Sequence, residues 1–423
     1  MFIKLNKFTG LNNVLPPESL NTTELQGARN VDIDNTGSIR RRSGFYQVYS
    51  GVCHSGFSVG DIAVFREGQS LKKLNKDMTV STIRNGIIEE LPMRYLALNG
   101  KIYYTDGVVS GVIENGSSRS WGLAVPPPPQ LSVSGGNLPE IKHDSYATYQ
   151  VVCTYVRDDG QESGACEPSS INLKSAGIGI KVYPSSDSTV KNIRIYITHS
   201  NGTAFYLALQ VPNILAEFVY SGNSQELTYP LHTQHLSPPP AGSIIEYYSG
   251  HIFIAVDDVL YYSKPYGYEL FDLEQYIQFE KPITMVASVQ DGLWIGTKNE
   301  IVFLHGQVPE QFSRSFIASY GVVIGTDVKV SANKTSINKD NNYGNGIYFL
   351  SEKGVCFVFN NGWIVNVTEG RYSFNVSTQG VGTLIERNGI VQYICTLFGA
   401  ENVVDNSYKW MVYGDVTMPM LFT

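Results

Sequence analysis

A glycine followed by two to four apolar or aromatic residues recurs along the chain, and no other feature limits its folding choices as much. The copies are Gly60-Asp-Ile-Ala-Val-Phe65, Gly100-Lys-Ile-Tyr-Tyr104, Gly250-His-Ile-Phe-Ile254, Gly292-Leu-Trp-Ile295, Gly346-Ile-Tyr-Phe-Leu350 and Gly389-Ile-Val-Gln-Tyr393. In several copies a partner strand follows, as in Val259-Leu-Tyr-Tyr262, Glu300-Ile-Val-Phe-Leu304 and Gly354-Val-Cys-Phe-Val-Phe359. The glycines are 40, 42, 54 and 43 residues apart, except for a step of 150 from Gly100 to Gly250. A period of 40 to 50 residues, with several short strands per unit, is the spacing of propeller blades. One four-stranded blade leaves two apolar faces bare, and only a blade on either side covers them. The pattern predicts an all-β chain: a β-propeller of five or six blades.

The long step is regular once a guest is removed. Excising the 108 residues 130–237 restores a spacing of 42, and both ends of that stretch carry proline: Pro126-Pro-Pro-Pro129 and Pro238-Pro-Pro240. Such tracts are stiff, extended and unable to join a sheet interior. Inside lie short alternating strands such as Ala147 to Val156, Gly179 to Tyr183, Val190 to Ile197 and Ala204 to Leu209, with Arg157-Asp-Asp-Gly-Gln-Glu-Ser163 as a turn. Their near ten-residue spacing predicts an immunoglobulin or fibronectin-type sandwich. Three domains are expected: 1–125 as the first part of the propeller, 130–237 as the inserted sandwich and 241–423 as the rest. Helix is scarce, and Tyr266 to Phe279 is the one tempting stretch, read as a loop with a short turn.

Forty glycines, 27 tyrosines, 19 phenylalanines and only 16% charged residues agree with a mostly β chain full of tight turns. The net charge of −7 gives no hint of the basic face that gripping nucleic acid by its phosphates requires. Lysines interrupt the amino-terminal residues, so no secretory signal is expected, and no apolar run approaches the length that crosses a bilayer; synthesis in a cytoplasm without stable membrane insertion is the expectation. The five cysteines (Cys53, Cys153, Cys166, Cys356, Cys395) are scattered and odd in number, which argues for buried free thiols rather than a disulfide framework or zinc site. Cys153 and Cys166 are placed to sit on neighbouring strands. Asn-x-Ser/Thr triplets at Asn21, Asn115, Asn201, Asn333, Asn366 and Asn375 carry no weight without a signal peptide.

Near the start, Gly27 to Phe45 reads as a hairpin with strands at Ala28 to Ile33 and Ser38 to Tyr49, joined through Asp34-Asn-Thr-Gly37. Asp32, Asp34 and Thr36 place oxygens as a calcium loop does, but the twelfth position is Ser43 where such a loop needs glutamate. Together with Gly10-Leu-Asn-Asn and Leu15-Pro-Pro-Glu-Ser-Leu20, this hairpin resembles the opening of bacteriophage tail nozzle proteins, the tail-tubular-protein-B-like family of short-tailed phages. The match covers about the first tenth of the chain. The resemblance implies a structural virion protein in the viral tail: a homo-oligomer, expected as a hexamer, forming a ring below the portal and head-to-tail adaptor. It further implies anchoring of tail fibre or tailspike proteins and passage of genomic DNA through the channel without sequence-specific binding. A conduit for a polyanion gains from a neutral or acidic wall, which the charge allows.

No residue pattern recommends chemistry, so no catalytic, cofactor-binding or metal residue is expected, and no cofactor. His232-Thr-Gln-His235 lies on a loop with no nearby carboxylate to complete a metal site. Asp158-Asp159 and Asp257-Asp258 read as solvated turn residues rather than a glycosidase pair. Arg40-Arg41-Arg42 either contacts phosphate or a neighbouring subunit's carboxylates, or solvates an edge strand; solvation is preferred over a DNA contact, and the neighbouring subunit stays open. The alternative is a glycan-binding β-propeller, receptor-binding or lectin-like, with aromatic residues stacking on sugars at blade loops. The closing blades are expected to share the amino-terminal hairpin, the segment to Ile87 and strands from Tyr408 to Tyr413.

Overall fold

A computed structural model describes residues 7–422 apart from 29, 35, 45, 142–144, 175, 332–333, 335–336, 338–344, 373–376, 388–389 and 399–419. Among the described residues, six antiparallel sheets are meanders in which every strand pairs with the next in sequence. They are His54–Val59, Ile62–Glu67, Ser70–Leu74 and Val80–Arg84 (sheet 1); Arg94–Leu98, Lys101–Thr105, Ser110–Glu114 and Ser117–Arg119 (sheet 2); Ile244–Tyr248, His251–Val256, Val259–Lys264 and Gly267–Gln278 (sheet 3). Then come Ile283–Val289, Gly292–Thr297, Ile301–His305 and Ser313–Ala318 (sheet 4); Val328–Val330, Gly346–Ser351, Gly354–Val358 and Ile364–Asn366 (sheet 5); Gln379–Arg387, Ile390–Phe398 and Met420–Phe422 (sheet 6). The chain is a β-propeller, and the repeated apolar runs are the second strands of its six sheets.

The repeating glycine answers two different physical demands. Asn99-Gly100 and Ser249-Gly250 form two-residue hairpin turns in which both residues have positive φ (52° and 76°, 46° and 83°), the conformation that matches strand twist. Gly292 and Gly346 instead lie within strands, where an added Cβ would sit 2.1 Å from the Leu304 carbonyl oxygen and from the Phe357 ring. Gly389 lies outside the described residues.

Alternation along the second strands sends neighbouring side chains to opposite sheets. Ile102 and Tyr104 pack on Val64 and Leu71 of sheet 1, while Tyr103 meets Ile252, Ile254 and Phe271 of sheet 3. Phe253 turns to Val286, Leu293 and Leu304 of sheet 4; Trp294 turns to Ile347, Phe349 and Val358 of sheet 5; Tyr348 and Leu350 turn to Tyr393 and Leu397 of sheet 6. Five apolar interfaces thus join six consecutive sheets. Each fully buried large side chain contributes about 1.5–3 kcal/mol, so the interfaces dominate stability.

Several expectations are corrected. The amino-terminal hairpin is short, Val31–Ile33 against Ile39–Arg41, and forms a sheet of its own rather than part of a blade. Its arginines account for this, because an exposed Ile39–Arg41 strand flanked by Arg42 offers no apolar face to bury. The segment from His54 to Arg84 completes a full blade without it. Residues 408–413 lie outside the described residues, and Met420–Phe422 pairs with Ile390–Phe398. Gly267–Gln278 is a twelve-residue outermost strand, not a loop with a helical turn. Among the cysteines, Cys153, Cys166, Cys356 and Cys395 are buried free thiols, but Cys53 is exposed.

Between sheets 2 and 3 lie two further sheets: Gln130–Ser134, Gly177–Val182 and Ala216–Tyr220 in one, and Ser169–Leu173, Ala147–Arg157, Val190–Thr198 and Phe205–Pro212 in the other. Their facing residues, among them Tyr149, Val151, Ile178, Ile180, Ile193, Ile195 and Tyr220, share one apolar cluster. The strand order is not that of an immunoglobulin domain. The first strand pairs with the fourth, and the second, the eleven-residue Ala147–Arg157 strand, lies between the third and fifth with a partner on each edge. The proline tracts do not hold these sheets at a distance. Ser169 Oγ donates to the Pro129 carbonyl at 2.6 Å, and Ser237 exchanges backbone hydrogen bonds with Phe271 of sheet 3 at 2.8 and 2.9 Å.

Candidate functional site: axial carboxylates and a buried arginine–glutamate joint

The innermost strands bring polar side chains together from different blades. Glu246 on the first strand of sheet 3 is 8% exposed, and its Oε1 accepts from Lys329 Nζ of sheet 5 at 2.7 Å and from its neighbour's backbone, Tyr247 N, at 2.7 Å. Ser288 Oγ of sheet 4 lies 2.8 Å from the same ammonium and 3.2 Å from the same carboxylate. Arg94, on the first strand of sheet 2, lies 3.7 Å from Asp327, just before the first strand of sheet 5. These pairs span the second, third, fourth and fifth sheets.

A second constellation lies where the guest sheets meet the propeller. Glu269, on the outermost strand of sheet 3, is 4% exposed and accepts four hydrogen bonds. Arg119, at the end of sheet 2, grips it with both terminal nitrogens at 3.0 and 2.6 Å. Arg157, at the end of the Ala147–Arg157 strand, reaches Oε2 at 2.7 Å, and the Gly122 N–H donates to the same oxygen at 3.2 Å. Arg157 is further held by Nε donating to Thr189 Oγ1 at 3.0 Å, and Arg119 Nε lies 3.3 Å from Glu114. Burial by itself pushes the Glu269 pKa up; the hydrogen bonds and charges of Arg119 and Arg157 outweigh it and hold the carboxyl below its ordinary value. The arrangement is a fixed three-way clamp on two blades and the guest.

Among the described residues, the carboxyls with displaced pKa values all move one way. Glu24, Asp34, Glu67, Asp77, Glu140, Asp187 and Glu269 are held below their ordinary ranges by hydrogen bonds and neighbouring cations.

No family model and no curated protein matches this chain. Among solved structures, it is similar to BBS1N in complex with ARL6DN, with 12% identity, 84% of this chain and 92% of that one covered, and a TM-score of 0.33. It is also similar to the N-terminal domain of Nup159 (8% identity, 81% and 72% covered, TM-score 0.30) and to Hsv2p of Kluyveromyces lactis (10%, 79% and 86%, 0.27). These neighbours are β-propellers. The six meanders of this chain make the same fold from its own strand pairing.

The residues singled out in the sequence are placed plainly. Asp34 Oδ1 caps its own turn, accepting from Thr36 N at 2.9 Å, Thr36 Oγ1 at 2.5 Å and Ser38 N at 3.0 Å, while Arg40 lies 3.3 Å from its other oxygen. Asp32 pairs with Arg42 at 3.2 Å, so the hairpin's own arginines neutralise both carboxylates of the calcium-like pattern. Asp158 and Asp159 sit in the turn closed by Gly160, and Asp257 takes a positive φ in a two-residue turn. His232 packs edge-on against Tyr229. Among the described residues no group of three or more metal-ligating side chains occurs, and no helix is long and apolar enough to cross a membrane.

The sequence reading missed Arg119, Arg157, Glu269, Glu246 and Lys329. It also missed an aromatic rim: Tyr276 on the outer strand of sheet 3, Phe316 on that of sheet 4 and Trp363 beside that of sheet 5, the last two 63% exposed.

Proposed function

We propose that the chain is a structural tail nozzle of a short-tailed phage, a ring-forming scaffold around the DNA exit path rather than a catalyst. The observation that carries this reading is the use of its inner and joint carboxylates: Glu246, Asp327 and Glu269 are each tied to a cation from a different sheet or from the guest. Polar groups spent on bracing leave little for reaction and suit a wall under load. The opening residues Gly10 to Leu20 and Ala28 to Phe45, which resemble the nozzle family, and the net charge of −7 point the same way. In this reading the two sheets between the proline tracts form an inserted sandwich domain that braces a neighbour or receives a tail fibre or tailspike protein, and six copies sit beneath the portal and adaptor in the virion. Native mass measurement of the purified protein, alone and with a portal–adaptor complex, tests it. A sixfold assembly is the expected result; a monomer that ignores the adaptor, or a tight, salt-sensitive complex with duplex DNA, would overturn the proposal.

The exposed Tyr276, Phe316 and Trp363 favour one second reading, a glycan-binding propeller in which these rings stack on sugars. A glycan array separates the two, since a conduit gives no signal there.

A further inference from the structure

Two buried thiols meet at the base of the hairpin that carries Arg157. Cys153, 2% exposed, lies on the Ala147–Arg157 strand; Cys166, 4% exposed, lies on the returning segment. The Cys166 N–H donates to the Cys153 carbonyl at 3.1 Å, and the Cys153 N–H donates to the Cys166 sulfur at 3.0 Å. Cys166 thus lies directly beside Cys153, and the two thiols are in hydrogen-bond contact with each other. Flanking contacts hold this register. Ser163 N–H donates to the Tyr155 carbonyl at 2.9 Å, and Tyr155 N–H donates to Ser163 Oγ at 2.9 Å.

We propose that Cys153 and Cys166 form a redox site: on meeting a peroxide they join as a disulfide that closes the hairpin carrying Arg157 within the guest sheets. The reaction balances with hydrogen peroxide as the two-electron oxidant. The Cys166 thiolate attacks one peroxide oxygen, the O–O bond breaks, and sulfenic acid and hydroxide result. Cys153 sulfur then attacks the sulfenic sulfur, the S–O bond breaks, and its proton leaves with hydroxide as water. The net change is two thiols and one peroxide to one disulfide and two waters. The assignment of roles follows from the pair's own contacts. The thiol of Cys153 and the backbone N–H groups at Cys153 and Cys166 hydrogen-bond to Cys166 sulfur and lower its pKa against the effect of burial, whereas the same thiol contact and burial raise that of Cys153. The inference rests on the proposed function only for where the oxidant is met, outside a reducing cytoplasm.

The full chain, folded and in millimolar peroxide, is then denatured in an alkylating reagent and cut with trypsin. Cleavage after Arg157 places Cys153 on residues 143–157 and Cys166 on residues 158–174, so only a disulfide holds these peptides together. The linked pair is expected from the native protein and absent from C153S, with the oxidised protein melting about 3 °C or more above the reduced one and C153S showing no such gain. Recovery of both cysteines as alkylated thiols or sulfinic acids, at doses that oxidise the exposed Cys53, overturns the proposal, as does a linked protein with unchanged melting. Neither outcome depends on oligomeric mass, so failure here leaves the nozzle reading standing.

Discussion

Arg157 and Glu269 are 112 residues apart in the chain and joined by a 2.7 Å hydrogen bond between two buried side chains, 1% and 6% exposed. This contact, with Arg119 on the other side of the carboxylate, turns the guest sheets and two blades into one mechanical unit. Two arginines facing one buried glutamate leave a large penalty if the glutamate is neutralised. Glu269→Gln is expected to cost about 3–5 kcal/mol. Thermal unfolding should show the loss, and limited proteolysis should open the proline tracts first; unchanged resistance to protease would show that the clamp does not hold the joint.

The same carboxylate sets a pH dependence. Its folded pKa lies below its ordinary value of 4.5. A group depressed on folding stabilises the native state above its unfolded pKa and loses that contribution as the pH falls through the folded pKa. The joint is therefore at full strength at neutral pH and weakens from about pH 4.5 downward. Guest-specific proteolysis titrated from pH 7 to pH 3 checks this, and Glu269→Gln should flatten the curve.

The repeat glycines give a paired test of why each is glycine. At Gly100 the need is a positive φ of 76° with open space around it, and asparagine tolerates that conformation. Gly100→Asn should cost under about 1 kcal/mol. At Gly346 any Cβ meets the buried Phe357 ring, so Gly346→Ala should cost about 1–3 kcal/mol through overpacking. Denaturant midpoints of both variants measure the difference, and equal losses would contradict the assignment of separate roles.

Arg66 and Asp106 tie sheet 1 to sheet 2 with both side chains fully buried, 3.3 Å apart. Asp106 also accepts from the N–H groups of Val108 and Val109 at 3.0 and 2.7 Å, and Arg66 donates to the Gly68 and Glu89 carbonyls at 3.0 Å. Asp106→Asn strands a buried guanidinium and should cost about 3–5 kcal/mol, whereas adding Arg66→Met should return a substantial part of it. A double-mutant cycle by chemical denaturation decides; simple additivity would mean the pair is not coupled.

What the sequence made readable was local and periodic. The glycine-led runs located the second strand of the sheets because a strand buried on both faces is continuously apolar, and Asn99-Gly100 is a turn signal of its own. The proline tracts flank the two sheets that lie between sheets 2 and 3, whose first strand begins at Gln130 directly after Pro129. The clamp was invisible for the opposite reason: Arg119 and Glu269 are 150 residues apart, and nothing near either in sequence distinguishes it from a solvated charge. Gly267–Gln278 was misread because its second half faces solvent, so Leu273-Glu274-Gln275 carry helix-forming side chains where a central strand would carry valine or isoleucine. The guest's strand order was equally hidden, since spacing reports strand count and not which edges meet.

The aromatic rim separates the two functional readings at residue level. Phe316 and Trp363 project from neighbouring blades with most of their surface in water, and neither is needed to hold its sheet. Replacing both with glutamate should therefore change stability by no more than about 0.5 kcal/mol each. If the rim is where copies of the chain meet, F316E/W363E converts a ring to monomers in native mass measurement, because two buried carboxylates without partners are costly at an interface core. If the rim instead stacks on sugars, the variant keeps its mass and loses glycan-array signal present in the unaltered protein. An unchanged ring mass together with silent arrays would place the subunit contact elsewhere on the propeller, and scanning the exposed Ile39–Arg41 strand with its neighbouring Arg42 would be the next measurement.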